Sequence, residues 1–323
     1  MKNKKCVLIL PYFGKFNNYF PLFLKSCGLN AEYDWLIFTD CKEQFDYPIN
    51  VHVIEMTLQK VKKLAEKKFG FDVCLKNAYK LCDYKPAYGF LFEEYIDQYE
   101  YWGHCDCDLI FGKLGEFLNS LFELQYDKIF AAGHLTLYRN DYENNRRFMK
   151  EYNGHVLYRE AFTTDSIYVL DEDMTESNVH RLFLKDGAKV FQTDMSMNVS
   201  TIAHRIRRTY YDPDLHTFVI EPYRKSRYFW NNGHIIECNF DGNEVNRTEY
   251  LYIHLQMRTM HVKGDIQSSN IIEIMPDRFV ERKYLPETKK EMRLYSIGFT
   301  YRRRCDELLK KIKRNIKKIG KSV

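Results

Sequence analysis

Asp106 and Asp108 are the residues of this chain best placed to do chemistry. They stand two apart in Tyr101-Trp102-Gly103-His104-Cys105-Asp106-Cys107-Asp108-Leu109-Ile110-Phe111-Gly112, an otherwise apolar and aromatic run. In an extended backbone, residues i and i+2 point the same way, so both carboxylates can aim at one point. Two like charges at the end of a buried strand repel each other and need a cation nearby. A divalent ion with hard oxygen ligands, Mg²⁺ or Mn²⁺, meets that need and ordinarily also holds substrate phosphates. The plainer alternative is that the two acids cap a helix beginning near Leu114.

The pair needs a scaffold that ends a buried strand at that point. Residues 6–10 are a continuous apolar run, as in a strand buried on both faces, and Pro11-Tyr12-Phe13-Gly14 follows as a loop. A helix is expected over 19–27, a second buried strand over 34–40 ending in Asp40, and a short third strand over 51–54. An amphipathic helix over 58–69 stops at Gly70. A helical region over 72–99, interrupted near Pro86, leads into the strand that carries the two acids. Short buried strands alternating with helices predict an α/β fold with a parallel, Rossmann-like sheet, whose ligands bind at the carboxyl edge of the strands. There is no Gly-x-Gly-x-x-Gly after the first strand and no phosphate-loop motif. Further on, β-like runs are expected over 128–138, 166–170, 188–191, 217–220, 235–240 and 250–255, with a polar helix over 141–152.

At 323 residues with 45% apolar content the chain can bury a large core, and neither a repeat nor a low-complexity linker divides it. The nine cysteines form no Cys-x-x-Cys pair. With no signal-peptide pattern, reduced thiols and a cytoplasmic protein are expected. No segment approaches the roughly twenty apolar residues of a membrane span. The net charge of +5 is uneven: from Tyr301 onward ten lysines and arginines face two acids, giving the tail +8 and the remainder −3. A basic tail on a mildly acidic body is not the pattern of a nucleic-acid-binding protein.

Asp83-Tyr84-Lys85-Pro86-Ala87-Tyr88-Gly89 followed by the 102–112 motif, with strands ending in Thr39-Asp40 and His254, resembles the GT-A-fold glycosyltransferases. More narrowly it is similar to a bacterial family linked to surface-polysaccharide synthesis, over roughly residues 5–260. The resemblance implies a GT-A-like, Rossmann-type mixed sheet flanked by helices. It implies a glycosyltransferase domain over 1–300, with a nucleotide-binding half (1–112) and an acceptor-binding half (113–300). The activity implied is transfer of a sugar from a nucleotide-sugar donor, a UDP-sugar first, to a saccharide or lipid-linked saccharide. Asp106, Asp108 and, by the same resemblance, His254 would hold Mn²⁺ or Mg²⁺; an ordinary strand histidine is the rival reading of His254. Lys85 would meet the donor phosphates or the acids at Asp106 and Asp108, and Arg258 the diphosphate, unless they are plain surface cations. Tyr12 and Phe13 would stack on the base, Gly14 would allow close approach, and Asp40 would accept from base or ribose unless it is only a turn residue.

The acceptor side offers Gly133-His134, Asp165 and Asp194. An inverting enzyme needs a base, and Asp165 and Asp194 are the candidates, each with a structural role as the rival. Residues 308–319 place Leu308, Leu309, Ile312, Ile316 and Ile319 at helical spacing among lysines and arginines. This is a basic amphipathic helix suited to an anionic membrane surface, which would put the protein peripherally on the inner face of the cytoplasmic membrane; a partner-binding helix is the alternative. From other functional classes, a non-catalytic saccharide-binding or scaffold protein and a metal-dependent phosphotransferase or nuclease remain open.

Overall fold

The computed structural model describes residues 4–201, 205–242, 244–256 and 258–293. The basic helix expected in the tail lies outside them. In chain order the strands are β1 (Lys4–Pro11), β2 (Tyr33–Thr39), β3 (Val51–Glu55), β4 (Tyr99–Cys105), β5 (Leu109–Phe111), β6 (Lys128–Ile129), β7 (Leu135–Arg139), β8 (Val190–Phe191) and β9 (Met197–Val199). They continue as β10 (Arg208–Asp212), β11 (Thr217–Ile220), β12 (Arg227–Asn231), β13 (His234–Asp241), β14 (Glu244–Tyr250), β15 (Tyr252–His254), β16 (His261–Lys263), β17 (Ile271–Met275) and β18 (Arg278–Glu281). The α-helices are α1 (Phe20–Gly28), α2 (Leu58–Phe69), α3 (Leu81–Tyr84), α4 (Tyr88–Leu91), α5 (Leu114–Glu123), α6 (Leu157–Phe162) and α7 (Val179–Lys185).

The fold class is α/β, with mixed sheets flanked by helices. The first sheet has the order β3-β2-β1-β4-β7-β6-β8. β3, β2, β1 and β4 are mutually parallel, and β7 runs antiparallel to β4. Period-two alternation explains the apolar run of β1. Leu8 and Leu10 face a core built with α1 and α5, while Val7 and Ile9 face one built with α2, α3, α4, α6 and α7. α2 follows its sequence signals: Thr57 accepts from the Lys60 amide at 3.2 Å, and Gly70 closes the helix at φ 75°. In α4, Gly89 lies against Trp102 of β4; a Cβ there would sit 2.2 Å from the indole, so only glycine lets helix and strand meet.

The chain passes from β1 to β2 on one side of the sheet and to β4 on the other. That reversal opens a crevice beyond the carboxyl ends of β1 and β4, where ligands bind in open α/β sheets. β5 then leaves the first sheet for a second, ordered β11-β10-β9-β15-β5, in which His254 of β15 pairs in register with Leu109 of β5. A third sheet, β14-β13-β12-β17-β18-β16, packs against the second through Ile110, Ile253, Trp230, Ile235 and Ile272.

Four sequence expectations are corrected. Asp106 and Asp108 lie in the turn between β4 and β5, outside either strand. Residues 166–170 form no strand, and Val169 sits at φ 57°, a conformation costly for a β-branched residue. Residues 141–152 are turns with one 3₁₀ turn at Arg147–Met149 rather than a helix. Most of the third sheet was not anticipated; its edge strands β14 and β16 are largely exposed and carry no apolar period.

Candidate active site

A cavity of about 620 Å³ opens at the crevice, lined by the ends of β1 and β4, by His254, and by residues 167–174. Asp106 and Asp108 do not cap α5. The amide of Leu114 is held instead by the Asn30 side chain at 2.8 Å. One ligand atom each from Asp106, Asp108 and His254 lie within 4.8 Å of one another. The β5–β15 register brings His254 there, and the Leu255 amide donates to the Asp108 carbonyl at 3.1 Å, closing the junction.

His254 Nε2 stands 3.3 Å from Asp108 Oδ1. Its Nδ1 lies 3.0 Å from Asn198 Oδ1, an oxygen that also accepts from Gln256 Nε2 at 2.9 Å. Asn198 therefore holds a proton on Nδ1 and directs Nε2 at the acids, the nitrogen whose lone pair a metal would take once its own proton leaves. Burial works against the charged imidazole, but Asp108, Asp106 and Glu172 outweigh it and raise its pKa. Two carboxylates and one neutral imidazole, mostly buried, fit Mn²⁺ better than Mg²⁺. A second trio, Glu116, His234 and Glu249, is largely solvent-exposed, and water competes for its ligands. Asn198→Ala is expected to weaken Mn²⁺ binding about 10–100-fold, read by calorimetric titration; unchanged affinity would mean His254 is not a ligand.

Lys85 sits between two acids. Its Nζ lies 2.9 Å from Asp106 Oδ1, 3.1 Å from Asp171 Oδ2 and 2.9 Å from the Gly133 carbonyl. Burial disfavours its charge, yet Asp106 and Asp171 hold its pKa well above the usual lysine value. Gly133 is a close approach: a Cβ there would meet Asp171 Oδ2 at 2.4 Å and Glu172 Cγ at 2.5 Å. His134, beside it, packs 4.5 Å ring to ring against His254 and stays neutral, since burial and the neighbouring His254 and Lys85 charges depress its pKa.

Asp171 and Glu172 were not anticipated. Burial and the Asp171 charge push Glu172 up to about 7, with Lys85 acting against them. Their segment is pinned at both ends. Asp83, fully buried and 2.8 Å from the buried Lys80 ammonium, accepts from the amides of Tyr168 (3.1 Å) and Leu170 (3.3 Å). Asp173 accepts from Tyr211 (2.6 Å), Arg181 (2.7 Å) and Asn178 (2.8 Å). The sequence signal was present: acids at 171–173 follow an apolar run, as at 106–108.

A family model of unknown function, DUF6625, matches residues 8–283. The chain belongs to the DUF6625 family. No curated protein matches it. Among solved structures, this DUF6625 protein is similar to the galactosyltransferase LgtC in complex with donor and acceptor sugar analogues. The TM-score is 0.32 at 9% identity, covering 61% of this chain and 76% of that one. It is also similar to the glycosyltransferase GlyE of Streptococcus pneumoniae TIGR4, at TM-score 0.27 and 10% identity over 59% of this chain, and to its apo form at 0.27 and 11% over 58%. The chain spans 45% of each GlyE chain.

Other expected site residues of this DUF6625 protein fall as follows. Tyr12 and Phe13 line the cavity; Tyr12 also stacks on Phe16 at 4.6 Å. Gly14 and Asp40 are exposed and off the wall, where Asp40 Oδ1 accepts from the Gly14 amide at 3.0 Å and ties the first loop to the end of β2. Arg258 is likewise off the wall. Its guanidinium donates to the carbonyls of Pro276 (3.1 Å), Ser200 and Arg205, so its fork of donors is engaged by backbone rather than by the pocket. Asp165 is exposed beside Lys76, 3.3 Å away. Asp194 accepts from the amides of Ser196 (2.8 Å) and Tyr211 (2.9 Å), shaping a turn. Neither acid reaches the cavity, and the acids that do, beyond Asp106 and Asp108, are Asp171 and Glu172.

Proposed function

We propose that this protein is a metal-dependent glycosyltransferase that moves a sugar from a nucleotide-sugar donor to a saccharide or lipid-linked saccharide. The observation that carries the reading is the convergence of Asp106, Asp108 and His254 at the topological switch point, with Lys85 beside them. A divalent ion held by Asp106, Asp108 and His254 would neutralise the leaving diphosphate as a Lewis acid. Lys85, fixed by Asp171 and the Gly133 carbonyl, keeps an ammonium next to Asp106 where charge develops on the departing phosphate. Tyr12 and Phe13 present aromatic faces at the end of β1 for the base. Glu172 is the carboxylate left over for the acceptor side, and it takes the place expected of Asp165 and Asp194. Surface-polysaccharide synthesis at the inner face of the cytoplasmic membrane is the setting that the resemblance implies.

The test is binding and hydrolysis of UDP-, GDP- and CMP-sugars with and without Mn²⁺. Absence of both for every donor would sink the reading. Among the described residues no helix is long and apolar enough to cross a membrane. The basic tail is the proposed membrane contact, at about 1 kcal/mol per basic residue near an anionic surface. The full chain should sediment with anionic vesicles at low salt and be released as salt rises. Deletion of 301–323 should abolish sedimentation and spare activity on a short soluble acceptor; retained vesicle binding would rule the tail out.

A further inference from the structure

Three apolar side chains that line the cavity also stand in solvent: Tyr79 at 75% exposure, Met174 at 59% and Ile167 at 37%. Exposed apolar side chains clustered at a pocket mouth mark a surface that something covers. This one is rigidly mounted. Tyr79 sits on a 3₁₀ turn, Ala78–Lys80, whose first amides are capped by Asn77 accepting from the Lys80 amide at 3.2 Å. The Lys80 ammonium, fully buried against Asp83, also donates to the Ser166 carbonyl. One buried ion pair thus ties the turn bearing Tyr79 to the segment bearing Ile167, while Asp173 anchors the same segment one residue before Met174. Burying two charges is costly unless they are well paired, and here the pair fixes the geometry of an exposed apolar surface.

The charge behind that surface narrows the occupant. Asp106, Asp108, Asp171 and Glu172 line the cavity against Lys85 and His254. A bound divalent ion and the diphosphate it carries cancel each other, so the surplus of carboxylates persists with a donor in place. An anionic group arriving from the mouth would be repelled; a hydroxyl would find carboxylate acceptors.

We propose that Tyr79, Ile167 and Met174 form the acceptor platform, which packs the apolar face of an uncharged pyranose and turns one of its hydroxyls toward Glu172. The inference rests on the glycosyltransferase reading for the word acceptor, while the binding surface itself does not. A tyrosine ring offers a large, stiff, amphipathic contact at low entropic cost, and the flexible Met174 thioether adapts beside it.

Saturation-transfer NMR on the full chain with Mg²⁺ tests this without turnover. The probes are the methyl glycosides of glucose, galactose and N-acetylglucosamine, with methyl glucuronide and octanol for comparison, each at about 10 mM, some tenfold above the usual KM range. At least one neutral glycoside should bind and the glucuronide should not. Tyr79→Ala should weaken that binding about tenfold and Tyr79→Phe should keep it, because the ring and not the hydroxyl makes the contact. Tyr79 is exposed, so both variants should melt with the parent. Equal binding of the glucuronide, octanol binding alone, no loss in Tyr79→Ala, or no binding of any glycoside would each overturn the platform. Glycoside binding without hydrolysis of any nucleotide sugar would keep the platform and sink the transferase. Donor hydrolysis without glycoside binding would do the reverse.

Discussion

Asp108→Asn is expected to lower donor turnover about 10²–10³-fold and to remove Mn²⁺-dependent donor binding while leaving the fold intact. The two halves of that expectation have one cause. Asp108 is 1% exposed and stands 3.3 Å from His254 Nε2. Asparagine keeps its shape, and the main-chain carbonyl that receives the Leu255 amide is untouched. Once the carboxylate is gone, His254 sheds its proton and no unpaired charge stays buried. The ion, by contrast, loses an anionic oxygen ligand that an amide replaces poorly. Calorimetric titration of Mn²⁺ and the nucleotide, beside a thermal melt, reads both halves. A variant that keeps metal-dependent binding, or one that unfolds, contradicts the assignment. From the sequence, the two acids would simply repel each other in the absence of the ion. The structure gives each a cation, Lys85 for Asp106 and His254 for Asp108, so little stabilisation is expected from removing either one.

Lys85→Met should behave in the opposite manner and destabilise the protein by about 3–5 kcal/mol. The lysine is 13% exposed at its side chain, and its partner Asp171 is 4% exposed. Methionine preserves the aliphatic stem but leaves Asp171 buried beside Asp106 with no ammonium between them, and the Gly133 carbonyl loses its donor. Asp171 would then have to be protonated in the folded state, so the loss should grow as pH rises above the unfolded carboxylate range. The midpoint of chemical denaturation measures the effect. Adding Asp171→Asn to Lys85→Met should restore a good part of the stability but not donor turnover. Destabilisation under about 1 kcal/mol would mean that solvent already screens the pair.

These two substitutions divide the site by how it is encoded. Asp106 and Asp108 were legible in the sequence because what makes them converge is local. Acids two apart at the end of an apolar run mark the edge of a buried strand, and they converge although they sit in the turn between β4 and β5 rather than within an extended strand. β1, β2 and the Thr57–Gly70 helix were legible for the same reason, since periodicity, caps and breakers act over a few residues. Lys85 could be suspected from its motif, but its two carboxylate partners could not both be named, because Asp171 comes from 86 positions further on.

What only the tertiary structure decided depends on contacts between distant segments. Asp165 and Asp194 look no different in sequence from Asp171 and Glu172. One is taken up by Lys76 at the surface and the other by the amides of Ser196 and Tyr211. Residues 166–170 read as a strand by composition and are held instead in an irregular course, with Val169 at φ 57°, by a buried carboxylate at Asp83 that claims the amides of Tyr168 and Leu170. Arg258 was a reasonable phosphate ligand until three backbone carbonyls engaged it. Strand spacing and helix caps are enforced by the chain's own stereochemistry within one or two turns. The partner of a charge is set by which segments the fold brings together, and no local pattern records that.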